Sequence, residues 1–357
     1  MSGVQEPLPV GPLLALEVEA RGWSQAEFAT VLGRPVQFVS EILNGKKEIT
    51  RESAAQIGAA LGQTPEYWLR LQDQHLLRAQ ATSQETQRQL SDVRRRARLN
   101  QLVPVSALQK RGVLQGETLT ELEAEVADLL ELRKINEEPR FQIAARRSDR
   151  EAPVSHAQLA WVGCVRRAVR NRVQRYSYSR ERLTTLAAEL PVALSNPEAW
   201  GHLPARLAAT GVNLVYVRAL PGAKIDGCAF TLEGRPVIAL SGRGKRLDKV
   251  LWTLLHEIAH VVLGHVSSAV AVEALDQVDG SDELENAADQ RAIGWLLPEP
   301  LPTLPPRVTA EWVQAVAVER RLATIVVVGQ LQKTRAVDWR SSLARGAPDV
   351  TRAMAGW

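Results

Sequence analysis

Two histidines four residues apart, His256 and His260, lie in the apolar run Leu251-Trp-Thr-Leu-Leu-His-Glu-Ile-Ala-His-Val-Val-Leu-Gly-His265. On a helix, positions i and i+4 share a face, so the two imidazoles can hold one metal ion together. Glu257 follows His256 directly, where its carboxylate can take a proton from an attacking water. Zinc is the expected ion, with manganese second, because it acts as a Lewis acid and lowers the pKa of a water it holds. Such a site needs a third protein ligand and an open fourth position. Glu285 is the best candidate and Glu283 the runner-up, both in Asp282-Glu-Leu-Glu-Asn-Ala-Ala-Asp-Gln-Arg-Ala-Ile-Gly-Trp-Leu-Leu-Pro298. That window reads as a helix stopped by Pro298. Asp289 is one turn after Glu285 and can orient a ligating histidine from behind. His265 lies five residues past His260, about 140° round a helix, so it is not a natural third ligand. A supporting, capping or core-packing role suits it better.

An E-x-x-x-D helix after H-E-x-x-H resembles the gluzincin arrangement. More closely, Gly234-Arg-Pro-Val-Ile-Ala-Leu240, His256 to His265 and Glu285 to Pro298 resemble the ImmA/IrrE family of zinc metallopeptidases. The matching stretches span about 65 residues, and more loosely the chain from 155 to 300. The family often reads E-x-E-A-N-x-F-A in the second helix. Here Ala287, Asp289 and Arg291 replace the second Glu, the Asn and the Phe, while Glu285 stays aligned. The resemblance implies a protease that cuts a helix-turn-helix repressor in response to stress.

A second cluster of chemically useful residues lies near the start. Gly22-Trp-Ser-Gln-Ala-Glu-Phe-Ala-Thr-Val-Leu-Gly33, then Val39-Ser-Glu-Ile-Leu-Asn-Gly-Lys-Lys-Glu-Ile-Thr50, reads as two short helices joined by a tight turn. Ser24 and Glu27 form a capping-box signature, Gly33 can end the helix, and Pro35 fits the first turn of the next. These stretches resemble the Cro/C1-type (XRE) family, and Ala54 to Leu71 looks like its HigA antitoxin branch. The resemblance implies that the third helix enters the major groove of operator DNA. Arg34, Gln37, Phe38 and Ser40 are then the candidate base readers, since Gln suits adenine and Arg suits guanine. Asn44, Lys46 and Lys47 would sit near phosphate. A small protein-binding module is the alternative, favoured by an acid excess in residues 1–75: nine Asp/Glu against six Lys/Arg.

A chain of 357 residues exceeds one ordinary core, so two or three domains are expected. Apolar content of 45% and charged content of 24% are globular values. No apolar run is long enough to span a bilayer, and the N-terminus lacks a signal-peptide pattern. Cys164 and Cys228 cannot build a disulfide framework and suit a reducing cytoplasm. The net charge of +4 is unevenly placed. Residues 76–115 and 140–182 are strongly basic, fit either for phosphate or for solvated helix faces.

The expected architecture is multidomain and mostly α. Residues 1–75 form a five-helix helix-turn-helix domain and 76–154 a basic linker and helical region. Residues 155–300 form an α+β zincin-like, gluzincin-type peptidase domain with a small sheet, and 301–357 a C-terminal helical region. Within 73–100 a solvated, Arg-rich helix links domains and could pair protomers as a homodimer. Helices are expected over 119–132, 155–176, 183–194 (broken at Pro191), 309–320 and 323–331. Strands are expected over 212–217, 228–232 and 236–240, with a turn at Glu233-Gly234. A sheet beside the metal helix would let an extended peptide add on by strand pairing.

Two functional readings follow. The first is a cytoplasmic DNA-binding transcriptional regulator with zinc metalloendopeptidase activity. It would cleave a repressor or antitoxin-type protein, or itself, in a stress, phage or toxin–antitoxin response, with single-stranded DNA as a candidate signal. The second is a HigA-like repressor whose peptidase-like domain is a sensor without turnover.

Overall fold

The computed structural model describes residues 9–139, 144–147, 155–170, 172, 175–266 and 281–357. The chain divides into two compact units, Met1–Arg95 and Arg96–Trp357. No described helix is long and apolar enough to cross a membrane. The architecture is mostly α with a small sheet, as the sequence implied.

The first unit contains α1 (Val10–Glu19), α2 (Gln25–Leu32), α3 (Val36–Leu43), α4 (Arg51–Leu61) and α5 (Pro65–Thr82). Side-chain caps set their boundaries. Ser24 accepts from the Glu27 amide at 3.2 Å, while its own amide donates to the Glu27 carboxylate at 2.7 Å. Thr50 and Ser53 make the same reciprocal cap on α4. Leu14, Phe28, Ile42, Ile57 and Trp68 fill one core. The loop between α3 and α4 is fastened by the buried Gln72 of α5. Its carboxamide oxygen accepts from the Ile49 amide at 2.6 Å, and its nitrogen donates to the Ile49 carbonyl at 3.0 Å. The fifth helix runs eleven residues beyond the expected Leu71, to Thr82.

The division between units falls within α6 (Gln84–Leu102). No described residue from 84 to 98 is buried, whereas Leu99 and Leu102 are. After α6 come α7 (Val105–Lys110), α8 (Leu119–Leu129), α9 (His156–Arg170), α10 (Arg180–Ala193) and α11 (Leu203–Ala209). Then follow α12 (Leu247–Leu263), α13 (Ser281–Leu296), α14 (Ala310–Arg320), α15 (Thr324–Lys333) and α16 (Thr351–Met354).

The strands are β1 (Ala144–Arg147), β2 (Asn213–Tyr216), β3 (Ile225–Leu232) and β4 (Arg235–Leu240), in the order β1-β3-β4-β2. β3 and β4 form an antiparallel hairpin, and β2 lies parallel to β4. Glu233 and Gly234, with φ of 51° and 75°, supply the two left-handed residues that a tight hairpin turn requires. Alternation along the strands splits the core in two. Leu214, Ala229, Ile238 and Leu240 join a cluster with α10, α12, α13 and α15. Val215, Cys228, Phe230, Val237 and Ala239 join one with the end of α6, α7, α8 and α9.

Three readings need correction. The sequence gave no sign of β1, because Ala-Ala-Arg-Arg carries no strand pattern; it pairs antiparallel with β3, Ala145 opposite Cys228. With β1 on one side and β4 on the other, β3 has no open edge, so a peptide pairing with β3 must take the place of β1. Pro191 does not break α10. It lies in the last turn, where few carbonyls depend on a following amide, and is itself buried. In the basic region 171–175, residues 171, 173 and 174, including the expected helix position Val173, lie outside the described set.

Candidate metal centre and nucleic-acid interface

The central helix of the second unit is α12, buried on nearly every side between the sheet, α10, α13 and α15. Gly264 ends it in the left-handed conformation, φ 76°. Its apolar residues supply the packing that holds its few polar groups in place. His256 and Glu257 are 1% exposed and His260 is 4% exposed.

α13 packs along α12 and brings Glu285 to the two imidazoles. The Nε2 atoms of His256 and His260 are 3.0 Å apart. Glu285 Oε2 lies 3.3 Å from Nε2 of His256, and Oε1 lies 3.4 Å from Nε2 of His260. One ligand atom from each of the three falls within 4.8 Å of the others. Glu283, the alternative ligand, is exposed and not in this cluster. Burial alone would push the Glu285 carboxyl up, but the two imidazoles outweigh it and hold the group well below the usual carboxylate range.

Each imidazole has a partner behind it. Asp289 Oδ1 lies 2.8 Å from Nδ1 of His256. An acceptor there fixes the proton on Nδ1 and leaves the Nε2 lone pair aimed at the cluster. His265 Nδ1 lies 3.1 Å from Nδ1 of His260. Burial, then the charge of His260, holds the His265 imidazole below its usual value. Two nitrogens and a carboxylate converging in this way fit a borderline cation such as zinc.

Glu257 turns toward β3. A Cβ built on Gly227 would come within 3.1 Å of Glu257 Oε1 and 2.8 Å of Thr253 Cγ2, so only glycine leaves room there. The sequence reading missed Gly227; its signal was a glycine inside a strand, which marks close approach of another group. It also missed Tyr178, whose hydroxyl donates to the Val261 carbonyl at 3.3 Å and steadies the last turn of α12. Neither cysteine suits thiol chemistry. Burial pushes Cys164 up to about 11, and burial with the nearby Glu257 charge raises Cys228 well above the ordinary thiol value.

A family profile described as Peptidase U49 matches residues 247–331, which hold α12, α13 and the whole cluster. A second, described as Helix-turn-helix, matches residues 14–69. The chain joins a helix-turn-helix domain to a Peptidase U49 segment. Antitoxin HigA-1 of Vibrio cholerae serotype O1 (strain ATCC 39315 / El Tor Inaba N16961) is 36% identical over 69 residues. That stretch is 19% of this chain and 65% of the length of that protein. No solved structure matches. The expected ImmA/IrrE and XRE relationships are thus met, one in each unit.

In the helix-turn-helix domain, α3 carries the candidate base readers. Gln37 is exposed, its amide nitrogen donating to Glu41 at 3.0 Å. Arg34, at the entry to α3, is bound inward. Its Nε donates to Gln56 Oε1 at 2.9 Å, it pairs with Glu52, and its guanidinium lies 5.3 Å from the Phe38 ring centre. Lys47 covers the same ring at 4.8 Å. Phe38 is therefore half-buried between two cations. Ser40 and Asn44 are tied together, Asn44 Nδ2 donating to the Ser40 carbonyl at 2.8 Å. Lys46 and Lys47 are exposed on the loop fastened by Gln72.

Proposed function

We propose that this chain is a DNA-binding transcriptional regulator of the cytoplasm whose second unit is a zinc-dependent endopeptidase. The observation that carries the reading is the convergence of His256, His260 and Glu285 beside the buried Glu257. His256, His260 and Glu285 would hold the ion, zinc before manganese. When bound, it would supply Lewis acidity toward the peptide carbonyl and the attacking water. Asp289 holds His256 in the tautomer that presents Nε2, and His265 supports His260. Glu257 takes the proton of the attacking water and delivers it to the leaving amine nitrogen. Its burial beside Gly227 leaves it a narrow space facing the strand.

The helix-turn-helix domain would present α3 to the major groove, with Gln37 toward base edges and Lys46 and Lys47 toward phosphate. The substrate would be a repressor or antitoxin-type protein, or the chain itself, and the response one to stress, phage or a toxin. A second reading, a repressor whose peptidase segment senses without turnover, draws on the similarity to Antitoxin HigA-1. Intact Glu257 argues against it, because a purely structural metal needs no base.

Metal analysis with a peptidase assay tests both. Purified protein should carry about one transition-metal ion per chain, lost in His256→Ala and His260→Ala. Glu257→Gln should keep the metal and lose turnover. Full metal occupancy with no turnover in the wild type, on any neighbouring repressor or on itself, supports the sensor. Loss of metal in Glu257→Gln would overturn its assignment as the base.

A further inference from the structure

The same face of α12 that carries Glu257 continues toward the helix N-terminus through Thr253 and Lys249, each four residues apart. That face opens into a cavity of about 520 Å³, walled by the loop after β4, by α15 and by the chain around Trp339. The cavity begins at Thr253, which shares the Gly227 contact with Glu257, and Asp226 beside Gly227 lines it. It is therefore continuous with the space in front of the candidate base.

Its charge is one-sided once internal pairs are removed. Asp248 is taken by Arg246 through two hydrogen bonds, at 2.7 and 3.0 Å. Asp226 faces Arg243 at 3.5 Å. The remaining lining charges are Lys249 and Lys333, which are both exposed. Their ammonium groups lie over indole rings, Lys249 5.6 Å from the centre of Trp339 and Lys333 3.4 Å from that of Trp252. Trp339 is itself 57% exposed, an apolar wall open to solvent. Two positioned ammonium groups above aromatic walls suit a carboxylate carried on a short aliphatic stem.

We propose that this cavity is a specificity subsite of the peptidase, built to take an Asp or Glu side chain of the substrate. The inference rests on the peptidase reading for the identity of its ligand. A helix rises about 1.5 Å per residue, so Thr253 and Lys249 lie roughly 6 and 12 Å along α12 from Glu257. Extended peptide advances about 3.3 Å per residue. The acidic side chain therefore falls about two to four residues from the scissile bond.

Binding tests the subsite apart from turnover. Full-length Glu257→Gln protein, loaded with zinc, is titrated against fluorescein-labelled eight-residue peptides, identical except for adjacent Glu, Gln or Lys pairs. Fluorescence anisotropy should show the Glu peptide bound about 5-fold or more tighter than the Gln peptide, and the Lys peptide weakest. Lys249→Gln/Lys333→Gln should level the three affinities without moving the thermal transition. Lys249→Glu/Lys333→Glu should reverse their order. A preference that is absent, or that survives either double substitution, overturns the proposal, as does failure to bind any of the peptides. If the Glu peptide binds as expected but the wild type cleaves neither it nor any repressor, the peptidase reading fails and the subsite stands.

Discussion

At the scale of single residues, the two histidines and Glu257 were legible because their spacing alone puts them on one helix. The third ligand was not fixed by spacing: Glu283 and Glu285 are two residues apart, and only the packing of α13 against α12 turns Glu285 inward. Asp289 was found for the same periodic reason, one turn after Glu285. Its contact at 2.8 Å with Nδ1 of His256 makes a specific demand. Asp289→Ala should leave the fold intact and weaken metal affinity about 10- to 100-fold, read by competition with a chelator. Glu283→Ala should leave the affinity unchanged. Equal effects from the two substitutions would remove Asp289 from behind the imidazole. Arg34 shows the limit of reading residue by residue. Its type suits guanine, yet its partners Glu52, Gln56 and Phe38 lie elsewhere on the fold and could not be paired with it from spacing.

At the scale of elements, caps and periodicity carried the helices, because Ser24, Gly33, Thr50 and Thr64 act through neighbours a few residues away. What escaped depends on distant partners. β1 exists only against β3, and α5 extends past Leu71 without any apolar signal in its last turns. On α3, Gln37→Ala should relax sequence preference, whereas Lys46→Ala should weaken all operators alike and lower the salt slope by about 1. Electrophoretic titration over a salt series separates the two patterns, and identical profiles would take α3 out of the groove. α8 and α9 are joined by another element-scale contact. Glu131, just after α8, accepts from Arg166 at 2.9 and 2.7 Å and from Arg170 at 3.3 Å. Burial pushes its carboxyl up, but the two guanidinium groups outweigh that and hold it below the usual 4.5. A group depressed in the folded state stabilises above its unfolded pKa, and that stability is lost as pH falls through the folded value. Glu131→Gln should therefore cost about 1 kcal/mol near neutral pH, a value discounted for solvent screening. Urea unfolding at several pH values should show that deficit closing below about pH 4.5. A deficit constant with pH would mean that packing, not charge, is lost.

At the scale of the whole molecule, the question is how a DNA-binding unit and a peptidase unit on one chain act together. Either the peptidase cuts its own chain, or the DNA-binding unit brings it to a promoter where it cuts a partner repressor. The stretch from Leu76 to Gln101 is the natural place for self-cleavage, and α6 occupies most of it. A peptidase cleft accepts extended backbone, so α6 must first melt locally. Residues 84–98 bury nothing, and an isolated helix of that length is marginal in water, so opening there costs little. The end of α6 is different. Leu99 and Leu102 are in the core, and Arg98 donates to the carbonyls of Ile135 at 3.1 Å and Glu137 at 2.7 Å. Cleavage should therefore fall before Arg98, in the polar turns. A time course of wild type against Glu257→Gln, with added zinc or manganese and with or without single-stranded DNA, decides the matter by mass spectrometry. A fragment of about 80–100 residues that the Glu257→Gln protein does not give supports self-cleavage. A rate that rises with protein concentration would place the event between copies. Wild type that stays intact while cutting a neighbouring repressor refutes self-cleavage and leaves the helix-turn-helix domain as the device that delivers the peptidase to its substrate.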